Sequence, residues 1–286
     1  MSFYVLDKIW DPEAEANADW FDATPGIIVL LDGAAPLCKE ERVSTLDNDA
    51  VWLVRRFAEH FAGAEVSAGD GIAERVERVR AQLHEEYSKL CRSAGFTPTE
   101  TPFSCLSIAH DAGASVEFFN MGDVTTLIRN CDSTITRFGE STVRELDRQA
   151  LACLKREISK GVEPHSARLT NVWPRILSNR ALRNVLSGYD VLDANVSCVN
   201  HLERLSSRRH EVRDVLMMSD GFYRLVDTYG RYTDAALFEA VERVGLSELL
   251  AELRHIEIED SPCKKYPRFK QHDDATALWF ELKGES

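Results

Sequence analysis

Two stretches of this chain share one grammar. Residues 27–33 (IIVLLDG) and 215–221 (VLMMSDG) are each an apolar, strand-like run that ends in Asp-Gly. The Asp stands where a strand would meet its loop. The Gly lets the backbone turn sharply and lets a ligand come close. Asp-Gly is also a favoured tight-turn dipeptide, so turn chemistry alone accounts for either run taken singly. Further acids fall at three similar places. Asn17-Ala18-Asp19 lies thirteen positions before Asp32, room for one strand, a turn and the next strand. Gly122-Asp123 joins two expected strands, and His272-Asp273-Asp274-Ala275-Thr276 opens the last one. If those strand ends converge, the carboxylates repel one another unless cations sit among them. Hard oxygen ligands without a His/Cys set select Mg2+ or Mn2+ over zinc.

Strands and helices must bring these acids together. Residues 45–63 carry helical periodicity through Val51, Trp52, Val54, Phe57, Ala58 and Phe61, with Thr45 or Asp47 to cap the start. A clearer helix covers 71–94, where Ile72, Val76, Val79, Leu83, Tyr87 and Leu90 share a stripe and Gly95 can end it. Residues 103–109, 115–120 and 124–129 are three expected strands, separated by Asp111-Ala112-Gly113 and Gly122-Asp123 as in a meander. Helices are expected over 141–160 and, with Pro174 in the first turn, over 174–187. Residues 212–218 form a strand, 234–254 an amphipathic helix and 276–282 the last strand. Long helices come in pairs between groups of strands, an α+β plan whose sheets need helical cover. No repeat and no Pro/Gly/Ser linker divides the 286 residues, which predicts a single domain over 1–286.

The bulk composition excludes several classes. With 44% hydrophobic and 28% charged residues the chain is ordinary globular material. A net charge of -13 disfavours nucleic acid as a partner. The seven cysteines (38, 91, 105, 131, 153, 198 and 263) are odd in number, widely spaced and without CxxC. That pattern argues against a disulfide framework and against a zinc ribbon. The opening MSFYVLDKIWDPEAE lacks the basic and apolar regions of a signal peptide. No run approaches the roughly 18 apolar residues of a membrane span. The expectation is a cytoplasmic protein that binds neither nucleic acid nor membrane.

The acidic elements resemble the type 2C metal-dependent protein phosphatases. That family has an N-terminal Asn/Glu-Glu-Asp element, a strand ending in Asp-Gly, then Gly-Asp-Ser, then Ser-Asp-Gly, then a final Asp-Asn-x-Thr/Ser strand. This chain has Asn17-Ala18-Asp19, Asp32-Gly33, Gly122-Asp123-Val124, Ser219-Asp220-Gly221 and Asp273-Asp274-Ala275-Thr276, in that order. The resemblance covers residues 10–283 and implies an α-β-β-α sandwich, two antiparallel sheets flanked by helix pairs. It implies hydrolysis of phosphoserine and phosphothreonine on proteins by a metal-bridging hydroxide, using two Mg2+ or Mn2+ ions and a third, more labile one. Carried over residue by residue, Asp32 bridges two metals and the Gly33 carbonyl binds one of them. Asp220 and Asp273 hold the other, Asp19 orients water beside the site, and Asp123 is the candidate for the third ion. The implied partners are a phosphoprotein substrate and a cognate Ser/Thr kinase.

The chain also departs from the family pattern. Ala18 stands where the family has a metal-binding Glu. Glu13, Ala14 and Glu15 stand where an Arg often grips phosphate, though Glu13 or Glu15 could replace the lost ligand from a shifted backbone. Ala34-Ala35 replaces His/Met-Gly-Gly, and Val124 replaces Ser. Two rival readings therefore stay open: a catalytically weak or dead pseudophosphatase acting as a protein-binding module, and a hydrolase of small phosphate esters. Residues 141–187 hold nine Lys and Arg against four Asp and Glu, within a basic helical insertion at 140–188. Solvated helix faces explain such a segment, but Arg168 and Arg175 are candidates to replace the missing phosphate-gripping Arg. Of the His residues, only His272, beside Asp273, is a candidate active-site neighbour.

Overall fold

A computed structural model of the chain describes residues 3–11, 17–24, 26–34, 41–46, 48–63, 71–139, 142–195 and 202–282. Strands β1 (Phe3–Trp10), β2 (Asp19–Thr24) and β3 (Ile27–Ala34) come first, followed by helices α1 (Asp49–Gly63) and α2 (Ile72–Ala94). Then come β4 (Phe103–Asp111), β5 (Ser115–Met121), β6 (Thr125–Asn130) and β7 (Ile135–Phe138). Helices α3 (Thr142–Ser159) and α4 (His165–Arg180) precede the short β8 (Leu192–Asp193) and β9 (Glu203–Arg208). The chain closes with β10 (Val212–Met218), α5 (Asp220–Asp227), α6 (Asp234–Glu259) and β11 (Thr276–Leu282).

The strands form two antiparallel sheets. One has the order β1-β11-β10-β6-β7, the other β2-β3-β4-β5-β9 with β8 added beside β4. Strand alternation then decides what each face covers. Ile28 and Leu30 of β3 pack between the sheets with Phe118, Ile128, Val215, Met217, Leu278 and Phe280. Their neighbours Val29 and Leu31 point the other way, against Leu53 and Phe57 of α1 and Val79 and Leu83 of α2. The other sheet repeats the pattern. Leu216 and Met218 of β10 face outward onto Phe222 of α5 and Leu237, Phe238 and Leu253 of α6. The result is the expected α-β-β-α sandwich. A third pair, α3 and α4, has its own small core of Ala150, Leu154 and Val172, against which Phe269 packs.

Several elements differ from the sequence reading. Helix α4 begins at His165, and Pro174 lies inside it instead of in its first turn. A proline inside a helix costs about 3 kcal/mol. Here a continuous inner face of Arg168, Val172 and Asn179 spans the proline and meets Leu146, Ala150 and Leu154 of α3, and that packing decides the register. Asn179 Nδ2 also donates to the Leu146 carbonyl at 2.8 Å. Helix α1 starts at Asp49, later than expected, and Asp47 lies outside the described residues. Helix α6 runs to Glu259, with a break at Gly245 (φ 81, ψ 166). There the Leu246 N–H donates to Asp7 Oδ2 at 2.8 Å, tying the break to β1. Strands β1, β7, β8 and β9 and helix α5 were not foreseen. The described cysteines 91, 105, 131, 153 and 263 are free thiols, and Cys38 and Cys198 lie outside the described residues. Among the described residues no helix is long and apolar enough to cross a membrane.

Candidate metal centre

The two Asp-Gly dipeptides occupy places where backbones nearly touch. The Gly33 N–H donates to the Ala18 carbonyl at 3.2 Å. A Cβ at Gly33 would lie 2.6 Å from that same oxygen. At Gly221 the fit is tighter, since a Cβ would lie 1.9 Å from the Asp274 carbonyl oxygen. Ser219 ties the end of β10 to the start of β11. Its N–H donates to the Thr276 carbonyl at 3.0 Å, and its Oγ accepts from the Thr276 N–H at 3.0 Å. The glycines therefore let acid-bearing strand ends from both sheets converge, a role beyond turn formation.

Each acid reaches the junction by its own route. Asp19 opens β2 and pairs in register with Asp32 of β3. Asp32 in turn lies opposite Cys105 of β4. Asp220 is the first residue of α5, and its N–H approaches Asp32 Oδ2 at 3.4 Å, bridging the two sheets. Asp123 sits in the β5–β6 turn and is 7% exposed. Asp274 Oδ2 accepts from the Ala18 N–H at 2.8 Å.

Crowding shows in the protonation energetics. Burial, then the charge of Asp274, lifts Asp19 well above the usual carboxylate range. The hydroxyls of Ser219 and Thr276 offset part of this, although neither meets hydrogen-bond geometry with it. Burial also lifts Asp32 strongly, with Asp19, Asp220, Asp123 and Asp273 adding repulsion. Asp123 is pushed up to about 6 by burial and by Asp220, against the opposing pull of Cys105 and Arg144. These are like charges crowded at the strand ends.

Asp273 is the exception. Burial alone would raise it, but Lys270 and Arg224 more than offset that, and its carboxyl lies below its ordinary value. Arg224 Nη2 donates to Asp273 Oδ2, and Lys270 Nζ donates to Asp273 Oδ1.

The donor set suits a hard divalent cation. Asp19 is 1% exposed, and neither of its carboxylate oxygens has a hydrogen-bond partner. A buried, unpaired carboxylate is costly, and a bound cation removes that cost. The ligands on offer are carboxylate oxygens, which suit Mg2+ and Mn2+. Among the described residues, no three His, Cys, Asp or Glu side chains are drawn together tightly enough to hold an ion.

The remaining candidates are scattered. Gly33 lies within β3, paired with Ser104. Arg168 is fully buried on the inner face of α4; its Nη2 donates to the Pro262 carbonyl at 2.7 Å and lies 3.5 Å from Glu163. Arg175 donates to Gln149 Oε1 of α3. The cations that act on the acids are instead Arg144 at Asp123, and Arg224 and Lys270 at Asp273. Helical geometry explains the difference, because the inner face of α4 packs on α3. His272 Nδ1 pairs with Glu257 Oε2 at 2.9 Å, behind Asp273. Glu13, Ala14, Glu15, Ala35 and His201 lie outside the described residues.

Besides Arg224 and Lys270, the sequence reading did not single out two residues of α3. Arg144 Nη2 donates to the Asp123 carbonyl at 2.8 Å and to Thr125 Oγ1. Asp147 is pushed up to about 7 by burial, then by Asp123 and Asp220, with Arg224 opposing. The two are three positions apart on α3, so they share a helix face. That i,i+3 spacing was the available signal, hidden inside a segment read only for its positive charge.

The comparisons with known proteins agree with this architecture. The model of the protein phosphatase 2C family matches residues 21–254. The serine/threonine phosphatase Stp1 from Staphylococcus aureus superposes with a TM-score of 0.56 at 12% identity, over 99% of this chain and 97% of that one. The Mycobacterium tuberculosis serine/threonine phosphatase PstP/Ppp gives 0.54 at 14% identity, over 99% and 100%. The catalytic domain of PstP in complex with two manganese ions gives 0.52 at 15% identity, over 98% of each chain. No curated protein sequence matches the chain.

Proposed function

The chain belongs to the protein phosphatase 2C family, and we propose on that premise that it hydrolyses phosphoserine and phosphothreonine on proteins with bound Mg2+ or Mn2+. The observation that carries this reading is Asp19, a buried carboxylate with no hydrogen-bond partner, set among Asp32, Asp220 and Asp274. Asp19, Asp32 and Asp220 would hold the cation, with the Gly33 carbonyl and Asp123 at the margin. Bound divalent ions supply activation of water and neutralisation of phosphoryl charge.

The chain's own groups do the rest. The Asp220 N–H beside Asp32 Oδ2 steadies that carboxylate. The Ser219–Thr276 hydrogen bonds fix the two strand ends from which Asp220 and Asp273 project. Arg144 and the exposed ammonium of Lys270 are cations within the acidic region, suited to meeting phosphoryl oxygens. The neighbour that holds two manganese ions supports divalent-ion use on this fold. A cognate Ser/Thr kinase, which would make the phosphoprotein substrate, belongs to the same proposal.

A second reading is a weak or dead phosphatase that docks a partner protein. Ala18 favours it, since a buried methyl replaces an expected ligand. The test is a panel of phosphoserine and phosphothreonine peptides beside small phosphate esters, each with Mn2+ and with Mg2+. Peptide turnover above ester turnover supports the protein phosphatase. Turnover of small esters alone would reassign the substrate class, and folded protein inert in both metals would favour the docking module.

A further inference from the structure

Charge is distributed unevenly across the acidic junction. On the Asp19 side, two carboxylate oxygens are buried and unpartnered, and Asp32 lies directly opposite in register. On the Asp273 side, both carboxylate oxygens are already taken, one by Arg224 and one by Lys270. We propose that Arg224 and Lys270 occupy the place of a divalent ion at Asp273, so that this protein holds one tight ion, at Asp19, Asp32 and Asp220. The inference rests on the metal-dependent reading above and concerns only the number and location of the ions.

Arg224 is built into its position. It lies four residues after Asp220 on α5 and is 9% exposed. Its Nη1 lies 3.8 Å from Oε1 of Glu257, a carboxylate with a fully buried side chain. Glu257 is held in turn by the Tyr229 hydroxyl at 3.3 Å, by Arg254 Nη1 at 2.6 Å and by His272 Nδ1 at 2.9 Å. The guanidinium thus sits between two carboxylates, and Asp273 is the outer one. Lys270 is different, with a side chain 65% exposed.

The carboxylate next to Asp273 is engaged as well: Asp274 Oδ2 accepts from the Ala18 N–H at 2.8 Å. A divalent ion arriving at Asp273 would meet two positive charges in contact with its intended ligand. The same two charges are placed to stabilise phosphoryl oxygens, the service a second ion would perform.

Counting bound Mn2+ tests this without reference to turnover. Free Mn2+ is measured by electron paramagnetic resonance while metal-free protein is titrated. Wild type is expected to bind one ion per chain and Asp32→Asn none. The Arg224→Met/Lys270→Ala double variant is expected to bind two. Because Arg224→Met could unfold the chain by leaving Glu257 short of a cation, Lys270→Ala alone is the second arm. It is expected to tighten the weak second site about tenfold. Two ions of similar affinity in wild type, or no gain in either folded variant, would overturn the inference and leave the proposed function standing. No bound ion in wild type would overturn both.

Discussion

Asp19 and Asp32 are register partners across the β2–β3 ladder, two carboxylates set directly opposite one another at the end of a sheet. Like charges at such positions destabilise a sheet. Burial makes matters worse, and both groups are lifted well above their usual range. An arrangement that costs stability in the empty protein is what a cation site requires.

Removing one of those charges should therefore stabilise the metal-free protein. Asp19→Asn keeps the shape and deletes an unpartnered buried anion. Urea unfolding in EDTA should show a gain of about 1–3 kcal/mol, because each pH unit by which burial and repulsion raise the carboxyl costs its charged form about 1.4 kcal/mol. Mn2+ should then stabilise the variant less than it stabilises wild type. An Asp19→Asn protein less stable than wild type in EDTA would mean the carboxylate has a protein partner.

Divalent ions should raise the melting temperature of wild type. A ligand at one hundred times its dissociation constant adds about 2.7 kcal/mol. Asp32→Asn should lose that increment. Calorimetry with and without Mn2+ reads it directly, and an equal rise in both proteins would place the ion elsewhere.

Asp147 predicts a pH dependence with a definite sign. Its folded-state value is pushed up to about 7, from an ordinary value of 3.8. The folded protein therefore holds the proton more tightly than the unfolded chain. Stability from this group is fully present below 3.8 and is lost as pH rises through about 7. Asp147→Asn mimics the protonated form. In metal-free protein its melting temperature relative to wild type should climb between about pH 4 and pH 7 and level off above that. A constant difference would show that Asp147 is not perturbed by its acidic neighbours.

The two kinds of glycine should separate cleanly. Gly221→Ala would place a methyl 1.9 Å from the Asp274 carbonyl oxygen, so a strand end must move. A loss of about 1–3 kcal/mol is expected, with weakened Mn2+ binding. Gly26→Ala meets nothing within 4 Å and should leave stability within about 0.5 kcal/mol of wild type. Equal effects at the two positions would show that the Asp-Gly pair at β10 is only a turn.

Much of this was legible in the residues, for identifiable reasons. The apolar runs before Asp32 and Asp220 could only be buried strands, and the glycines after them marked close approach. The order of the acidic motifs then carried the resemblance to the family, and the resemblance implied the sandwich. Arg168 and Arg175 were harder, because helical register rather than composition decides which basic side chains face inward. The register of α4 was set by packing across Pro174, which local propensity argues against. Asp147 and Arg144 were overlooked because each is unremarkable in sequence and gains meaning only where α3 crosses the β5–β6 turn. The covering of Asp273 by Arg224 and Lys270 joins residues 49 and three positions away, and nothing local distinguishes the distant one.

The most direct test of the central claim is the initial rate of phosphothreonine-peptide dephosphorylation by wild type and Asp220→Asn, each in Mn2+ and in EDTA. The account predicts turnover by wild type in Mn2+, none in EDTA, and a loss of at least about a hundredfold in Asp220→Asn. Turnover that persists in EDTA, or that survives Asp220→Asn, would contradict it.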